Sequence, residues 1–244
     1  MSLFIFYLNA LKDNYIWCIT DKQDLWIVDP GESTPVLNFL KNNHLNFKGI
    51  FITHHHFDHT GGILELKNAY PQLSIFAPKG IEGTTCFLKG GEVLNCSTFQ
   101  VQVIAAPGHT LDHLIYKIGE RLFVGDVLFG AGCGRLFEGN ASQMFDSLNK
   151  IQNFSNQTLI YPAHEYTLQN LRFAQNIEPS NFVIQQRIQE LEKNPVSVPL
   201  SLKIEKQSNP FLRTEQESVR QKLNLTNATN QAVFAALRTM RDSF

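Results

Sequence analysis

Five of the eight histidines in this 244-residue chain stand where they could hold a metal ion. Three of the five fall in one run with an aspartate, Thr53-His54-His55-His56-Phe57-Asp58-His59, directly after the apolar stretch Gly49-Ile50-Phe51-Ile52. Residues two apart on an extended chain point to the same side, so His54 and His56 can face one ion while His55 turns away. If the chain then turns, Asp58 and His59 can face a neighbouring position. Gly61-Gly62 follows, where backbone can pass close to another group. Three more donors each close a short apolar run: His109 ends VQVIAAPGH, Asp126 ends RLFVGD and His164 ends TLIYPAH. Imidazole nitrogen with carboxylate oxygen suits zinc, iron or manganese. One strand-end histidine is unremarkable as a packed or surface residue, but four such positions carrying His or Asp are hard to explain as packing.

Seven donors exceed what one ion takes. Two divalent ions fit if Asp126 bridges them: His54, His56, His109 and Asp126 around the first, Asp58, His59, His164 and Asp126 around the second. Two divalent ions against two carboxylates and a hydroxide leave the centre cationic. His55 and His113 are candidates for orienting or structural roles, and His44 for the surface.

These donors need sheet ends to stand on. Short β-branched or aromatic runs at Leu3–Leu8, Tyr15–Thr20, Leu25–Val28, Gly49–Thr53, Ser74–Ala77, Phe99–Ala105, Leu114–Ile118, Leu122–Val124 and Thr158–Tyr161 predict strands. Helical periodicity falls at Thr34–Asn42, Ile63–Ala69 and Ala141–Asn153. After Tyr161 the texture becomes helical, at Thr167–Asn176, Asn181–Glu192, Glu215–Leu223 and Asn230–Arg241, with the proline-bearing segment Asn194–Pro210 as an interruption. The expected fold class is α+β: a layered sandwich over residues 1–165, carrying the candidate donors, then a smaller helical domain over 166–244.

Composition narrows the function classes. The net charge is −1 with no basic stripe, which argues against a nucleic-acid partner. No run approaches the ~20 apolar residues of a membrane helix. The opening MSLFIFYLNALKDN lacks a basic segment and a cleavage site, so it reads as a first strand and the expected compartment is the cytoplasm. The four cysteines form no C-x-x-C pair and read as small buried or half-buried side chains.

The run His54-x-His56-x-Asp58-His59 resembles the signature of the metallo-β-lactamase superfamily, and Asp29-Pro30-Gly31 resembles that superfamily's second strand end, where the aspartate supports a ligating histidine. THHHxDHxGG at 53–62, PGHT at 107–110, GDxLFxxGCGRxFEG at 125–139, HEYT at 164–167, NPFLR at 209–213 and the ending LRTMRDSF together resemble the glyoxalase II family. The likeness covers essentially the whole chain, and it implies that the sandwich over 1–165 is a metallo-β-lactamase αββα sandwich and that the helical domain over 166–244 binds substrate. It implies a two-metal thioesterase that hydrolyses S-D-lactoylglutathione to D-lactate and glutathione, the second step of methylglyoxal detoxification. A hydroxide held between the metals would attack the thioester carbon, with Asp58 and Asp126 serving as metal-binding carboxylates. Zinc is the expected metal, with iron or manganese as alternatives, and a monomer is expected.

The resemblance also places Arg135, Tyr166, Arg238 and Arg241 on glutathione. Other readings stay open: Arg135 as an ion-pair partner, Tyr166 as core, and the two C-terminal arginines as an exposed face that suits the helix dipole. Phe137 stands where some members carry a tyrosine, keeping the shape without the hydroxyl. A β-lactamase would lack the helical tail, a nuclease should be basic, a dioxygenase of this fold would use one iron, and a metal-binding module has little need of an open bridged site.

Overall fold

The computed structural model describes residues 3–96 and 98–244. By its internal contacts the chain divides into two compact units. The first takes the chain through Ala105 together with Asp112–Gly125; the second takes Ala106–Leu111 and Asp126–Phe244.

The first unit runs β1 (Phe4–Ala10), β2 (Asn14–Thr20), β3 (Asp24–Val28), α1 (Thr34–Lys41), β4 (Asn46–Phe51), α2 (Phe57–Thr60), α3 (Ile63–Ala69), β5 (Ser74–Ala77), β6 (Cys86–Phe87), β7 (Val93–Cys96), β8 (Phe99–Ala105), β9 (Leu114–Ile118) and β10 (Arg121–Gly125). Strands β1 to β6 make one sheet in sequence order, antiparallel from β1 to β3 and parallel from β3 to β6. Strands β10-β9-β8-β7 form an antiparallel ladder.

Alternation along the first sheet explains its two-sided burial. Ile16, Cys18, Leu25, Ile27, Ile50 and Ile75 point to a cluster that includes Val36 and Leu40 of α1 and Ile63 and Leu66 of α3. The intervening residues point the other way, onto the second ladder. Trp17 meets Phe123 edge-on at 6.5 Å, Trp26 meets Phe99 at 6.2 Å, and Phe51 lies 5.1 Å from Tyr116. The buried Tyr116 hydroxyl finds its partner across the layers by donating to Ile52 O at 2.5 Å. Two sheets lie face to face, with α1 and α3 outside the first, as the expected sandwich requires, and a helical C-terminal region completes the α+β fold.

The second unit opens with a small hairpin, β11 (Leu128–Phe129) and β12 (Gly132–Cys133). It continues with α4 (Ala141–Gln152), β13 (Leu159–Pro162), α5 (Thr167–Ile177), α6 (Phe182–Lys193), β14 (Leu200–Ser201), α7 (Leu202–Ser208), α8 (Glu217–Lys222) and α9 (Asn230–Asp242). Helix starts follow their side chains: Asn140 and Gln143 form a capping box on α4, Asn181 caps α6 and Thr229 caps α9. Helices α5 and α6 bury Leu171, Ala174, Ile184 and Leu191 together with Ala131 of the hairpin. Phe234 of α9 packs on Phe145 of α4 at 5.8 Å.

The strands expected at Ser74–Ala77, Phe99–Ala105 and Leu114–Ile118 and the helix at Ile63–Ala69 have those bounds. Most other expected ends move by one to three residues. The interruption expected at Asn194–Pro210 is corrected: β14 pairs antiparallel with β13 there, and α7 follows. Helix α7 turns Leu202, Glu205 and Ser208 inward, so it lacks the apolar stripe that marks a helix in sequence.

Candidate metal centre

In the first unit the donors follow β4. Beyond Phe51 the chain bends through Thr53–His56 and enters α2, which carries Asp58 and His59. His54 Nε2 and His56 Nδ1 lie 3.0 Å apart, while the half-exposed His55 turns to Asp112 at 3.1 Å. His59 Nε2 lies 3.5 Å from Asp58 Oδ2. Asn14 Nδ2 donates to both Asp58 Oδ2 (3.1 Å) and Asp58 O (3.2 Å).

One buried carboxylate organises this half. Asp29 directly follows β3, at φ 53°. Its Oδ1 accepts the Thr53 N–H at 2.7 Å, and its Oδ2 accepts the Thr53 hydroxyl at 2.7 Å and faces His59 Nδ1 at 3.0 Å. Since the carboxylate only accepts, His59 must carry its proton on Nδ1 and present Nε2 as a lone pair. The same logic passes through Thr53. Its hydroxyl proton goes to Asp29, so its oxygen accepts from His54 Nδ1 at 3.0 Å, and His54 also presents Nε2. Asp29 thus fixes the tautomers of two histidines. His113, buried, stacks on the His54 ring at 4.7 Å and 20° and holds its plane.

In the second unit His109 Nε2 lies 3.4 Å from Asp126 Oδ2, and His164 Nε2 lies 3.5 Å from Asp126 Oδ1. Each oxygen of one buried carboxylate therefore faces a different imidazole. His109 Nδ1 donates to Arg135 O at 2.8 Å, which again leaves Nε2 for a ligand. His164 stacks flat on Tyr166 at 4.8 Å and 5°.

These spacings suit metal ligation. Bonds of ~2.0–2.2 Å at tetrahedral angles place neighbouring donors about 3.3–3.6 Å apart. The His59–Asp58, His109–Asp126 and His164–Asp126 pairs at 3.4–3.5 Å match such edges, the His54–His56 pair is shorter at 3.0 Å, and the donor set fits metal ions.

A cleft of about 250 Å³ in the second unit is lined by His109, Asp126, Arg135, Phe137, Tyr166, Arg238 and Arg241 among others. Arg135 pairs with Asp242 at 3.2 Å while its side chain stays 57% exposed. Arg238 is buried, so an exposed helix face is excluded for it; it donates to Cys133 O at 2.8 Å and pairs with Asp242 at 2.8 Å. Burial and the neighbouring Arg238 charge push the Arg241 guanidinium below its ordinary value. Such a crowd of cations is eased by an incoming anion. Burial pushes the Cys133 thiol up even beside Arg238, so it is a neutral side chain and no rival nucleophile. Phe137 is exposed and sits edge-on to His109 at 5.2 Å.

The contacts of Thr53 with His54 and of Asn14 with Asp58 had no signal in the sequence beyond residue types. Asn14 reaches Asp58 only through the fold, 44 positions away. The four cysteines are unpaired thiols, three of them buried and Cys86 half-buried, as expected.

A family model described as the hydroxyacylglutathione hydrolase C-terminus matches residues 165–244, and the metallo-β-lactamase superfamily model matches residues 12–79. A hydroxyacylglutathione hydrolase from Edwardsiella ictaluri (strain 93-146) is 44% identical, covering 97% of this chain and 98% of its own. One from Dechloromonas aromatica (strain RCB) is 43% identical, covering 98% and 99%. Among solved structures, ETHE1 from Myxococcus xanthus superposes with a TM-score of 0.67 at 25% identity, covering 100% of this chain and 99% of that one.

Proposed function

Because the chain belongs to the hydroxyacylglutathione hydrolase family of the metallo-β-lactamase superfamily, we propose that it hydrolyses S-D-lactoylglutathione to D-lactate and glutathione. The observation that carries the reading is Asp126. Its two oxygens each stand beside the Nε2 of a different histidine, on the wall of a cleft that also bears Arg135, Tyr166, Arg238 and Arg241. A carboxylate placed so would be able to help hold two ions.

Our assignment gives His54, His56 and His109 to one ion, Asp58, His59 and His164 to the other, and Asp126 to both. Zinc is the first choice for both positions, with iron or manganese accommodated by the same nitrogen and oxygen donors. Two divalent ions, when bound, supply Lewis acidity and bring the pKa of attacking water towards ~7. The chain's own residues do the rest. Asp29 and the Arg135 carbonyl hold histidine tautomers so that Nε2 lone pairs are available. Arg135, Arg238 and Arg241 take the carboxylates of the glutathione moiety, and Tyr166 offers it a hydroxyl. Phe137 gives a ring face without a hydrogen bond, a difference of ~1 kcal/mol net. No Ser or Cys nucleophile is needed.

We take residues 1–165 as the catalytic domain and 166–244 as the substrate-binding one. The C-terminal family model begins at residue 165, and Arg238 and Arg241 lie on α9, which supports that division. Among the described residues no helix is long and apolar enough to cross a membrane. A cytoplasmic monomer acting on a small molecule is our reading.

The test is thioester loss with S-D-lactoylglutathione, with metal content measured on the same sample. Turnover with two ions per chain, lost in Asp126→Ala, is expected. No turnover from protein holding two ions overturns the assignment.

A further inference from the structure

Helix α7 presents a fully buried carboxylate that the chemistry above does not use. Glu205 is 0% exposed. Its Oε1 accepts from Arg187 Nη2 at 2.7 Å, and Arg187 Nη1 continues to Ser208 Oγ at 2.6 Å. Its Oε2 accepts the Ala131 N–H at 2.8 Å and Asn209 Nδ2 at 3.1 Å. Asn209 Nδ2 also lies 3.0 Å from Gly132 O and 3.3 Å from Phe129 O, while its Oδ1 accepts the Phe211 N–H at 3.1 Å. The backbone polar groups around the β11–β12 tip, Phe129 O, Ala131 N and Gly132 O, therefore all meet Glu205 or Asn209.

The tip needs such an anchor. Ala131 sits at φ 53°, a left-handed conformation that a side chain disfavours, so outside bonds must hold it. The legs of the same ribbon carry the chemistry. Asp126 leads into β11, and Gly134, after β12, packs so closely that a Cβ there would lie 1.9 Å from Asp126 O. The Gly134 N–H donates to Val127 O at 3.2 Å, closing the base. Next comes Arg135, whose carbonyl holds His109 Nδ1. One short ribbon thus bears a carboxylate at one leg, the partner of a histidine at the other, and Glu205 at its tip.

We infer that Glu205 is a positioning residue for the metal centre: its carboxylate sets the β11–β12 ribbon, and through it the places of Asp126 and of His109. The inference rests on the reading that Asp126 and His109 ligate metal. What matters at the tip is an oxygen acceptor for the Ala131 N–H. A burial role alone would be met by any side chain of similar volume.

Two substitutions separate these roles. Glu205→Leu keeps volume and removes the acceptor. Glu205→Gln can turn its amide oxygen to Ala131 and its NH2 to the Arg187 side, keeping the hairpin bond and losing the charge pair. In Glu205→Leu, metal content is expected to fall from two ions per chain towards one and kcat to fall about tenfold or more, the range seen when outer partners of metal ligands are lost. Glu205→Gln should keep two ions and a kcat within about threefold of wild type, although its Tm falls with the lost pair. If both variants lose Tm yet keep two ions and wild-type kcat, the inference is overturned and Glu205 only stabilises. If Glu205→Leu does not fold, the double variant Arg187→Met/Glu205→Leu answers instead, since it removes both members of the buried pair together with the acceptor. Metal loss in the double variant supports the inference, and two ions with full kcat in it refute it. Metal counts decide this even if the wild-type protein proves inert towards S-D-lactoylglutathione, an outcome that would refute the proposed substrate alone.

Discussion

Replacing Asp29 with asparagine is the sharpest single test of how the first half of the centre is prepared. Asparagine has the same shape and tolerates the left-handed backbone that Asp29 adopts at φ 53°, so the chain should still turn there. What changes is that three donors no longer meet two acceptor oxygens. If the new NH2 takes the Oδ2 position, it faces Thr53 Oγ1 and His59 Nδ1, and both must become acceptors. His59 then carries its proton on Nε2. The Thr53 hydroxyl turns to donate to His54 Nδ1, and His54 is forced into the same unusable tautomer. Losing a partner of this kind typically costs 10–100-fold in metal affinity or activity, about 1.4–2.7 kcal/mol. If the NH2 takes the Oδ1 position instead, it opposes the buried Thr53 N–H, and a donor left without an acceptor costs ~1–3 kcal/mol of stability. The protein chooses the cheaper arrangement, and the two are separable. Metal content and turnover should fall about tenfold or more at nearly constant Tm in the first case, and Tm should fall with metal retained in the second. The assay is metal analysis and thioester hydrolysis on the folded variant, with Tm by circular dichroism. Asp29→Asn with two ions, wild-type turnover and wild-type Tm would refute the tautomer argument.

Two other perturbations probe separate parts of the chain. A Cβ on Gly31 would lie 2.0 Å from Asp58 O, so Gly31→Ala must displace the segment that carries Asp58; a shift of ~1 Å can cost about 100-fold in rate, and retention of both ions with full turnover would show that this close packing does not position Asp58. Glu178 is nearly buried, and although burial alone would raise its pKa, bonds from Arg213 (2.7 and 2.9 Å) and Ser218 (2.7 Å) hold it below the ordinary carboxylate value. A carboxyl depressed in the folded state contributes stability that is fully present above its unfolded pKa of ~4.3 and is lost as pH falls through the lower folded value. Glu178→Gln should therefore lower stability by about 3 kcal/mol at neutral pH, or roughly 6–12 °C in Tm, with the gap from wild type closing as the pH drops below about 4. Parallel Tm curves for the two proteins across that range would show that the pair does not carry the pH dependence.

The candidate donors were legible for a local reason, and the side chains that contact them were hidden for a non-local one. His54, His56, Asp58 and His59 are covalent neighbours, so their spacing states which of them can share an ion before any fold is known. The sheets were legible for a similar reason, since alternation along β2, β3 and β4 is a property of each strand by itself. Nothing local marks Asn14 as the partner of Asp58, or Glu205 as the partner of Ala131, because each pair meets only after the intervening chain has folded. Asp29 was flagged only through family resemblance, and what gives it meaning is the Thr53 hydroxyl between it and His54. Helix α7 was missed because its inward face carries Glu205 and Ser208, where a periodicity argument looks for apolar side chains. That failure has a physical cause. A helix that spends its buried face on a carboxylate forgoes hydrophobic burial there and must recover the cost through bonds, here from Ala131, Asn209 and Arg187. A segment whose sequence argues against its own helix, and whose buried acid finds its partners on the ribbon bearing Asp126, has packing alone as a poor explanation.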